Sequence, residues 1–158
     1  FNLQEIPLNK TEIDGEFFLQ QLTDELYPLL MPKNLQMKLD IASDFKIYGD
    51  GNFMARVLNN LLKNAISYSY EDSVIKITGK EDEETTIITV ENYGDIISPK
   101  ELELIFQKFY RRDKARGQSS GSGLGLAIAK EIVERHGGIL KAESVNGHTK
   151  FSIHLHKS

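Results

Sequence analysis

The sequence contains no cysteine, which excludes a disulfide framework and a cysteine-ligated zinc site. It also lacks any apolar stretch near the roughly 20 residues that a membrane-spanning helix needs. Positive charge is not in excess either, since 19 Lys and Arg stand against 23 Asp and Glu, for a formal net charge of −4. A protein that neutralises a phosphate polymer needs a basic face, so we expect no nucleic-acid partner.

The composition is that of one globular domain. The chain has 158 residues, of which 40% are hydrophobic and 27% are charged, and this is enough to bury a core. We therefore expect a single domain over residues 1–158. We also expect it to be a fragment of a longer protein, because the first residue is Phe1 rather than Met.

Apolar residues at helical spacing predict helices, and alternating apolar and polar residues predict strands. The predicted helices cover residues 12–30, 52–69, 98–109 and 124–136. The predicted strands cover residues 35–41, 45–48, 74–78, 85–91, 139–143 and 149–156, and residues 1–8 are either an edge strand or a lead-in. Helices and strands that interleave without regular alternation predict a layered α/β domain with a mixed sheet.

Individual residues support these elements. Phe17 falls on the apolar face of the first predicted helix, and Pro28 and Pro32 mark the end of that helix. Ser98 is the predicted N-cap of the third helix, and Glu101 completes a capping box with it. The dipeptide Asn146-Gly147 predicts a tight turn between the last two strands.

Two asparagines lie on the second predicted helix. Asn60 and Asn64 are four residues apart and therefore share one stripe, at the border of the apolar face. An amide oxygen can ligate a hard cation such as Mg²⁺, and an amide NH₂ can donate to phosphate. Tyr68, one turn further on, is placed to pack against a ligand. The alternative interpretation is a pair of solvated surface amides.

A glycine-rich run immediately precedes the fourth predicted helix. Its sequence is Gly121-Ser122-Gly123-Leu124-Gly125-Leu126, and glycines at a helix N-terminus let backbone N–H groups approach phosphate oxygens. No Lys-Ser or Lys-Thr follows, and the run does not follow a strand, so it is neither a P-loop nor a dinucleotide fingerprint. The stretch before it is basic and suits a triphosphate, although a flexible solvated loop is the alternative; it contains Arg111, Arg112, Lys114 and Arg116.

In this order, the elements resemble the ATP-binding catalytic domain of bacterial sensor histidine kinases over nearly the whole chain. Residues 60–65 match the N box of that family, and residues 90–95 stand where its first glycine box belongs. Residues 105–111 match its F box, and residues 121–126 match its second glycine box. Asn92, together with Tyr110-Arg111, resembles the pattern of the sensor kinases of vancomycin-resistance systems.

The resemblance implies the Bergerat ATP-binding fold, a two-layer α/β sandwich in which a mixed sheet of about five strands packs on about three helices. It implies ATP and Mg²⁺ as ligands, with Asn64 on the metal, Asn60 at the phosphates, and residues 106–111 and the following loop closing as a lid. It places Asn92 and Thr149 at adenine. The implied nucleotide-binding residues are Asn60, Asn64, Tyr68, Asn92, Gly94, Ile97, Arg111, Lys114, Gly121, Ser122, Gly123, Leu124, Gly125, Leu126 and Thr149.

The chain departs from the family pattern at four positions. Asn92 replaces the usual Asp and accepts the adenine amino hydrogen without a charge. Ile96 replaces a second glycine of the same box, and Ser67 stands where many relatives carry a basic residue. His148 stands where a glycine usually precedes Thr149. These departures weaken the expectation for the adenine end of the site.

The residue at position 60 favours a kinase over a hydrolase. ATP hydrolases of this fold carry Glu four residues before the metal-ligating Asn, where it acts as the general base for water. Asn60 stands at that position, and an amide does not accept a proton at neutral pH. The resemblance therefore implies transfer of the γ-phosphoryl group to a histidine. A GHKL-type ATP hydrolase and a degenerate, non-catalytic interaction module are the alternatives.

The acceptor histidine is expected outside this chain. None of its histidines precedes Glu or Asp, as the family's acceptor does, so all four are expected to be structural or solvated; they are His136, His148, His154 and His156. The resemblance implies three further things. The partners are an upstream dimerisation and phosphoacceptor domain and a response regulator. The isolated chain is a monomer. It is the cytoplasmic domain of a sensor protein in the plasma membrane.

Overall fold

The computed structural model describes residues 6–110 and 124–158. In these two ranges the chain forms seven strands and four α-helices, together with a single 3-10 turn at Met31–Lys33. The strands are β1 (Thr11–Asp14), β2 (Gln36–Ile41), β3 (Lys46–Gly49), β4 (Val74–Glu81), β5 (Thr85–Tyr93), β6 (Ile139–Val145) and β7 (His148–His156). The helices are α1 (Gly15–Leu30), α2 (Gly51–Tyr68), α3 (Pro99–Leu104) and α4 (Gly125–Arg135).

Five strands form one mixed sheet in the order β2-β4-β5-β7-β6. The β2–β4 pair is parallel, and the other three pairs are antiparallel. A separate antiparallel pair joins β1 to β3. The sheet packs on α1, α2 and α4, so the predicted α/β class with a mixed sheet of five strands is confirmed.

One hydrophobic core lies between the sheet and the helices. Alternate residues of the central strand β5 enter it, including Ile88 and Val90, and they meet Leu61 of α2 and Ile132 of α4 in the same buried cluster. The alternation follows from the strand period of two. The other face of the sheet is polar, and there the buried hydroxyl groups of Thr78 and Thr89 hydrogen-bond to each other.

The prediction for the first helix was wrong at its start. Residues 11–14 form β1, and Asp14 caps α1 by accepting a hydrogen bond from the backbone N–H of Phe17. Phe17 is 69% exposed rather than part of the apolar face, which Leu19 occupies in full burial. Pro28 lies inside α1, which continues to Leu30.

The third helix is shorter than predicted. It ends at Leu104 rather than near residue 109, and the left-handed backbone of Phe109, with φ of 67°, excludes that residue from a helix. Ser98 does cap it by accepting the Glu101 N–H at 3.1 Å. The Glu101 carboxylate accepts instead from the Tyr110 hydroxyl at 2.8 Å, so only half of the predicted capping box is seen.

The predictions for the two ends of the chain agree better with the structure. The predicted Asn146-Gly147 turn is confirmed, with positive φ at both residues, as a two-residue hairpin between antiparallel strands requires. Residues 6–8 lie outside the strands, and residues 1–5 are outside the described ranges. In the described part of the chain, no helix combines the length and the apolar character that crossing a membrane demands.

Candidate functional site

Helix α2 positions the two asparagines that the sequence singled out. Asp50 caps its N-terminus and accepts hydrogen bonds from the backbone N–H groups of Asn52 and Phe53 at 3.0 and 3.1 Å. Burial disfavours the charged carboxylate, but the backbone donors Asn9, Phe53 and Asn52, together with His136, outweigh it and hold the pKa of Asp50 below its ordinary value of 3.8. A charged cap therefore fixes the start of the helix.

Asn60 joins α2 to the start of α4. Its Nδ2 atom donates to the carbonyl oxygen of Gly125 at 3.0 Å. Because only the NH₂ group can donate to a carbonyl, this bond sets the orientation of the amide and leaves Oδ1 available as an acceptor. The predicted proximity of the asparagine helix and the second glycine box is therefore seen in the structure at this contact.

Asn64 lies one turn further along α2 and is 9% exposed. Its carboxamide has no hydrogen-bond partner among residues 6–110 and 124–158, whereas buried amides in proteins are nearly always satisfied. A buried amide oxygen that accepts no hydrogen bond from the described residues is suited to bind a cation or a polar ligand. The described ranges contain no cluster of three His, Cys, Asp or Glu side chains for a metal, so a metal here would depend on amide and ligand oxygens.

A second group of predicted residues lies at the ends of β5 and β7. Asn92 and Thr149 are register partners on neighbouring strands, 5% and 3% exposed, and both face the helices. Thr149 Oγ1 lies 3.2 Å from Ser144 Oγ, which also accepts from the backbone N–H of Ile97 at 3.4 Å. The Asn92 carboxamide, like that of Asn64, has no partner in the described part of the chain.

Gly94 brings the end of α2 against this group. A Cβ at position 94 would lie 1.9 Å from the carbonyl oxygen of Tyr68, so no larger residue fits without a backbone shift. Ser69 forms an antiparallel bridge with Gly94, and the Gly94 N–H donates to the carbonyl of Gly147 at 2.8 Å. The side chain of Asn92 lies next to the same glycine, since its Nδ2 would be 3.4 Å from that Cβ.

Two tyrosines flank the close approach at Gly94. The Tyr70 N–H donates to the carbonyl of Tyr93 at 2.9 Å, and the Tyr70 hydroxyl donates to Asp95 at 3.1 Å. The hydrogen bond to the Asp95 carboxylate, with desolvation and the negative charge of that group, raises the pKa of Tyr70. Tyr70 thus stays a neutral donor and ties the segment after α2 to the loop after β5.

The F-box segment is anchored at Phe106. Its ring meets that of Phe151 edge-on, with centroids 6.0 Å apart, and the Lys130 ammonium lies 5.4 Å from the same ring. Phe109, three residues on, is 67% exposed. Closure of residues 106–111 over a ligand stays a prediction.

The structure joins most of the predicted site residues into one continuous line. Contacts run from Gly125 through Asn60, along α2 to Asn64 and Tyr68, and then through Gly94 to the strand ends. The predicted residues on this line are Asn60, Asn64, Tyr68, Asn92, Gly94, Ile97, Gly125 and Thr149. Leu124 and Leu126 flank the start of α4, and Leu126 packs against the core. The predicted residues outside the described ranges are Arg111, Lys114, Gly121, Ser122 and Gly123.

Three residues next to this line of contacts were not predicted to have a functional role. Gly147 was assigned only to a turn, yet its carbonyl accepts from Gly94. Ser144 links Thr149 to Ile97, and nothing in its strand context indicates this. Lys33 donates to three carbonyl groups at the end of α2. It is more than 30 residues away in the sequence, so local sequence patterns could not predict this contact.

The histidines are not arranged as a site. His136 is buried, donates from Nδ1 to the Ile132 carbonyl at 2.8 Å and accepts at Nε2 from the Asp50 N–H at 3.1 Å. His148 pairs with Glu91 at 3.0 Å on the polar face of the sheet. Burial, with smaller effects from Lys141 and Lys150, lowers the pKa of His154 despite Asp82. Of the two alternatives predicted for His136, structural or solvated, its burial and two hydrogen bonds agree with the structural one.

Comparison with known proteins connects this geometry to a family. Residues 49–158 match the family model described as histidine kinase-, DNA gyrase B- and HSP90-like ATPase. The chain is 46% identical over 156 residues to the sensor protein VanS of Enterococcus faecium, covering 98% of this chain and 40% of VanS. It is 39% identical to the sensor protein VanSC of Enterococcus gallinarum, covering 99% of this chain and 44% of that protein. The chain thus spans about two fifths of these relatives.

Solved structures share the fold. The catalytic domain of the histidine kinase ThkA superposes with a TM-score of 0.84 at 26% identity, over 94% of this chain and 96% of that domain. ThkA in complex with the response regulator TrrA gives a TM-score of 0.81 at 25% identity, over 96% of this chain and 42% of that one. Family membership implies that the chain binds ATP. The buried amides on α2 and β5, the glycine contacts between them and a family match over 49–158 lead to one conclusion: the chain belongs to the histidine kinase-, DNA gyrase B- and HSP90-like ATPase family.

Proposed function

We propose that this chain binds ATP with Mg²⁺ and transfers the γ-phosphoryl group to a histidine on an upstream dimerisation domain of the same sensor kinase. The observation that carries the proposal is the pair of buried carboxamides, Asn64 and Asn92, on one line of contacts. Neither has a hydrogen-bond partner within the described ranges. A ligand that satisfies both amides at once relieves two unpaired polar groups.

The metal end of the site suits Mg²⁺. Asn64 would hold the ion through Oδ1, and Asn60 would assist at the phosphates through its free Oδ1. Mg²⁺ is usually held by one or two protein ligands together with substrate phosphates and water, so a single amide oxygen is sufficient. When bound, the ion neutralises charge on the phosphate groups.

The adenine end of the site suits a purine. The oxygen of Asn92 accepts a hydrogen bond from the exocyclic amino group, and the hydroxyl of Thr149 lies beside it on β7. Ile97, 2% exposed, supplies an apolar surface below the loop after β5. The basic segment that contains Arg111 and Lys114 is proposed to contact the phosphates together with Gly121, Ser122, Gly123 and the first residues of α4.

Position 60 lacks a carboxylate that could act as a general base, and this favours phosphoryl transfer to a histidine. A neutral histidine ring nitrogen attacks the γ-phosphorus with its lone pair, the bond from the γ-phosphorus to the bridging oxygen breaks, ADP leaves, and the other ring nitrogen releases its proton to solvent. This reaction needs the histidine and the γ-phosphate to be well positioned and the phosphate charge to be neutralised, but it needs no strong base. Attack by water does need a base, because water must lose a proton to become a good nucleophile. Asn60 is an amide that already donates to Gly125, which supports transfer over hydrolysis.

The parent protein and its partners follow from the relatives. VanS and VanSC are sensor proteins, and ThkA was solved with a response regulator. We infer that the phosphorylated histidine of this kinase passes its phosphoryl group to a response regulator, and that this chain lies on the cytoplasmic side of a membrane sensor. The isolated chain is proposed to be a monomer.

The binding claim is tested by titrating the chain with ATP, with Mg²⁺ and then with excess chelator. Asn64→Ala is expected to raise the Kd for ATP by about ten-fold in Mg²⁺, or roughly 1.4 kcal/mol, and much less in chelator. Asn59→Ala is the matched control, because Asn59 lies on the same helix with partial exposure. An unchanged Kd for Asn64→Ala in Mg²⁺ would remove Asn64 from the metal site. No saturable binding to the wild-type chain would favour a non-catalytic module.

The transfer claim needs a second experiment. The chain is mixed with its upstream histidine segment and ATP labelled at the γ-phosphate. Acid-labile label on the histidine is the expected product. Phosphate release at catalytic rates with no labelled histidine would assign the chain to the hydrolases.

A further inference from the structure

The C-terminus of α2 lacks the residues that usually complete a helix. The last four carbonyl groups of a helix have no intrahelical partner, and they carry a partial negative charge. Glycine in a left-handed conformation or a basic residue in the last turn commonly satisfies them. In α2 the last turn contains no basic residue, and the residue that follows, Ser69, is extended at φ −77° and ψ 144°.

Lys33 supplies the missing cation from a distant part of the chain. Its Nζ atom donates to the carbonyl oxygens of Ile66, Ser67 and Ser69 at 3.0, 2.7 and 3.1 Å. The Ser69 hydroxyl satisfies the carbonyl of Ala65 at 2.6 Å. A lysine ammonium has three donors, and all three reach carbonyl groups at this one helix end.

The backbone around Lys33 is fixed against the same segment. Its carbonyl oxygen accepts from the Asp72 N–H at 2.9 Å. Asn34, with φ of 52°, follows the 3-10 turn and donates from Nδ2 to the Asp72 carboxylate at 2.7 Å. Lys33 therefore has little freedom to leave the helix end, and its side chain lies in a prepared position.

The helix end that Lys33 holds is the one that contacts β5. The Tyr68 carbonyl lies against Gly94, Ser69 bridges Gly94, and the Tyr70 N–H donates to Tyr93. Gly94 is two residues beyond Asn92 on the same strand end. Asn64 is four residues before Tyr68 on the same helix. Lys33 thus holds the helix end that contacts Gly94, and this contact sets the distance between the amides of Asn64 and Asn92.

We propose that Lys33 is a positioning residue of the nucleotide site, which holds the last turn of α2 against Gly94 and so sets the spacing between Asn64 and Asn92. The inference rests on the proposed binding of ATP at these two amides. Lys33 itself touches no ligand. Without its charge, the last turn of α2 loosens, and a nucleotide that spans both ends must order it on binding.

The test compares Lys33→Met, which keeps the length of the side chain, with Lys33→Arg, which keeps charge and donors. Lys33→Met is expected to raise the Kd for Mg-ATP by about ten-fold, the equivalent of ordering roughly one residue of backbone. Lys33→Arg is expected to restore most of the affinity. Lys38→Met is the control, because Lys38 is an exposed lysine on β2 and the charge change is the same. If Lys33→Met does not fold, Lys33→Gln replaces it in both measurements, because glutamine keeps a neutral donor.

Hydrogen exchange separates positioning from general stability. Without nucleotide, the amides of Tyr70 and Gly94, bonded to Tyr93 and Gly147, are expected to exchange faster in Lys33→Met. The amide of Ile128 in α4 is expected to change less. Equal acceleration at all three amides, or a wild-type Kd in Lys33→Met, would overturn the proposal. Absence of ATP binding by the wild-type chain would instead contradict the proposed function, while the exchange pattern would still decide whether Lys33 holds the helix end.

Discussion

The Nδ2 atom of Asn60 donates to the carbonyl oxygen of Gly125 across 3.0 Å, which joins the middle of α2 to the first residue of α4. This bond lies at the seam between two of the three helices that cover the sheet. It also has a direction, since the carbonyl can only accept. An acceptor-only side chain at position 60 would place two oxygens against each other.

The first prediction concerns that direction. Asn60→Asp keeps the shape of the side chain but removes the donor, and at neutral pH it is expected to lower the free energy of unfolding by about 1–3 kcal/mol. Urea denaturation measures the loss. Asn59→Asp adds the same charge to the same helix at a position that makes no such bond, and it should change stability by less than about 0.5 kcal/mol. Equal losses in the two variants would mean that the Gly125 contact contributes little.

The second prediction compares two glycines of the predicted glycine boxes. In Gly94→Ala the new Cβ meets the Tyr68 carbonyl oxygen at 1.9 Å, so backbone must move, with an expected cost of about 2–3 kcal/mol. In Gly125→Ala the nearest atom is 3.7 Å away, in ordinary contact with Asn60. That variant is expected to stay within about 0.5 kcal/mol of wild type. Chemical denaturation of both chains checks the order, and a reversed order would refute it.

The parts of the fold that could be predicted are those carried by local periodicity. The apolar face of α2 is such a part, because Leu58, Leu61 and Leu62 recur at helical spacing and are fully buried. The hairpin at Asn146-Gly147 is another, because few dipeptides adopt positive φ at both residues. The candidate site was predicted from the order of four short motifs, and the structure places Asn60 against Gly125 and Gly94 against Tyr68.

The features that could not be predicted depend on residues far apart in the chain. Strand β1 is stabilised by its pairing with β3, which lies some 35 residues later in the chain. The local sequence of residues 12–14 fits the helical pattern of α1, and it carries no sign of this pairing. The roles of Lys33 and His136 appear only in the fold, where the two ends of α2 lie beside them. The left-handed backbone of Phe109 could not be predicted from its local sequence either.

The third prediction concerns His136, whose two ring nitrogens connect the end of α4 to the start of α2. Its Nε2 atom accepts from the Asp50 N–H at 3.1 Å, and its Nδ1 atom donates to the Ile132 carbonyl at 2.8 Å. His136→Ala leaves that N–H and the Ile132 carbonyl without this partner, with an expected loss of about 2–3 kcal/mol in unfolding free energy. His156→Ala is the control, because His156 is exposed at the end of β7. Losses of similar size in both variants would contradict the structural role.

The fourth prediction concerns Asp50 and acid. Its pKa is lowered in the folded chain, because the backbone N–H groups of Asn9, Phe53 and Asn52 and the nearby His136 outweigh the opposing effect of burial. A carboxylate of this kind contributes stability that is fully present above its unfolded pKa of about 3.9. That contribution is lost as the pH falls through the lower, folded pKa.

Asp50→Asn isolates this contribution. Asparagine can still accept from Asn52 and Phe53, but it replaces the oxygen that Asn9 reaches at 2.9 Å and carries no charge. At pH 7 the variant is expected to be less stable by about 1–2 kcal/mol, and the difference should shrink as the pH falls below about 4. Denaturation from pH 7 to pH 2.5 measures it. Asp14→Asn is the matched control, since Asp14 caps α1 through one exposed bond of 3.3 Å. A difference for Asp50→Asn that stays constant over this range would show that the carboxylate charge does not stabilise the start of α2.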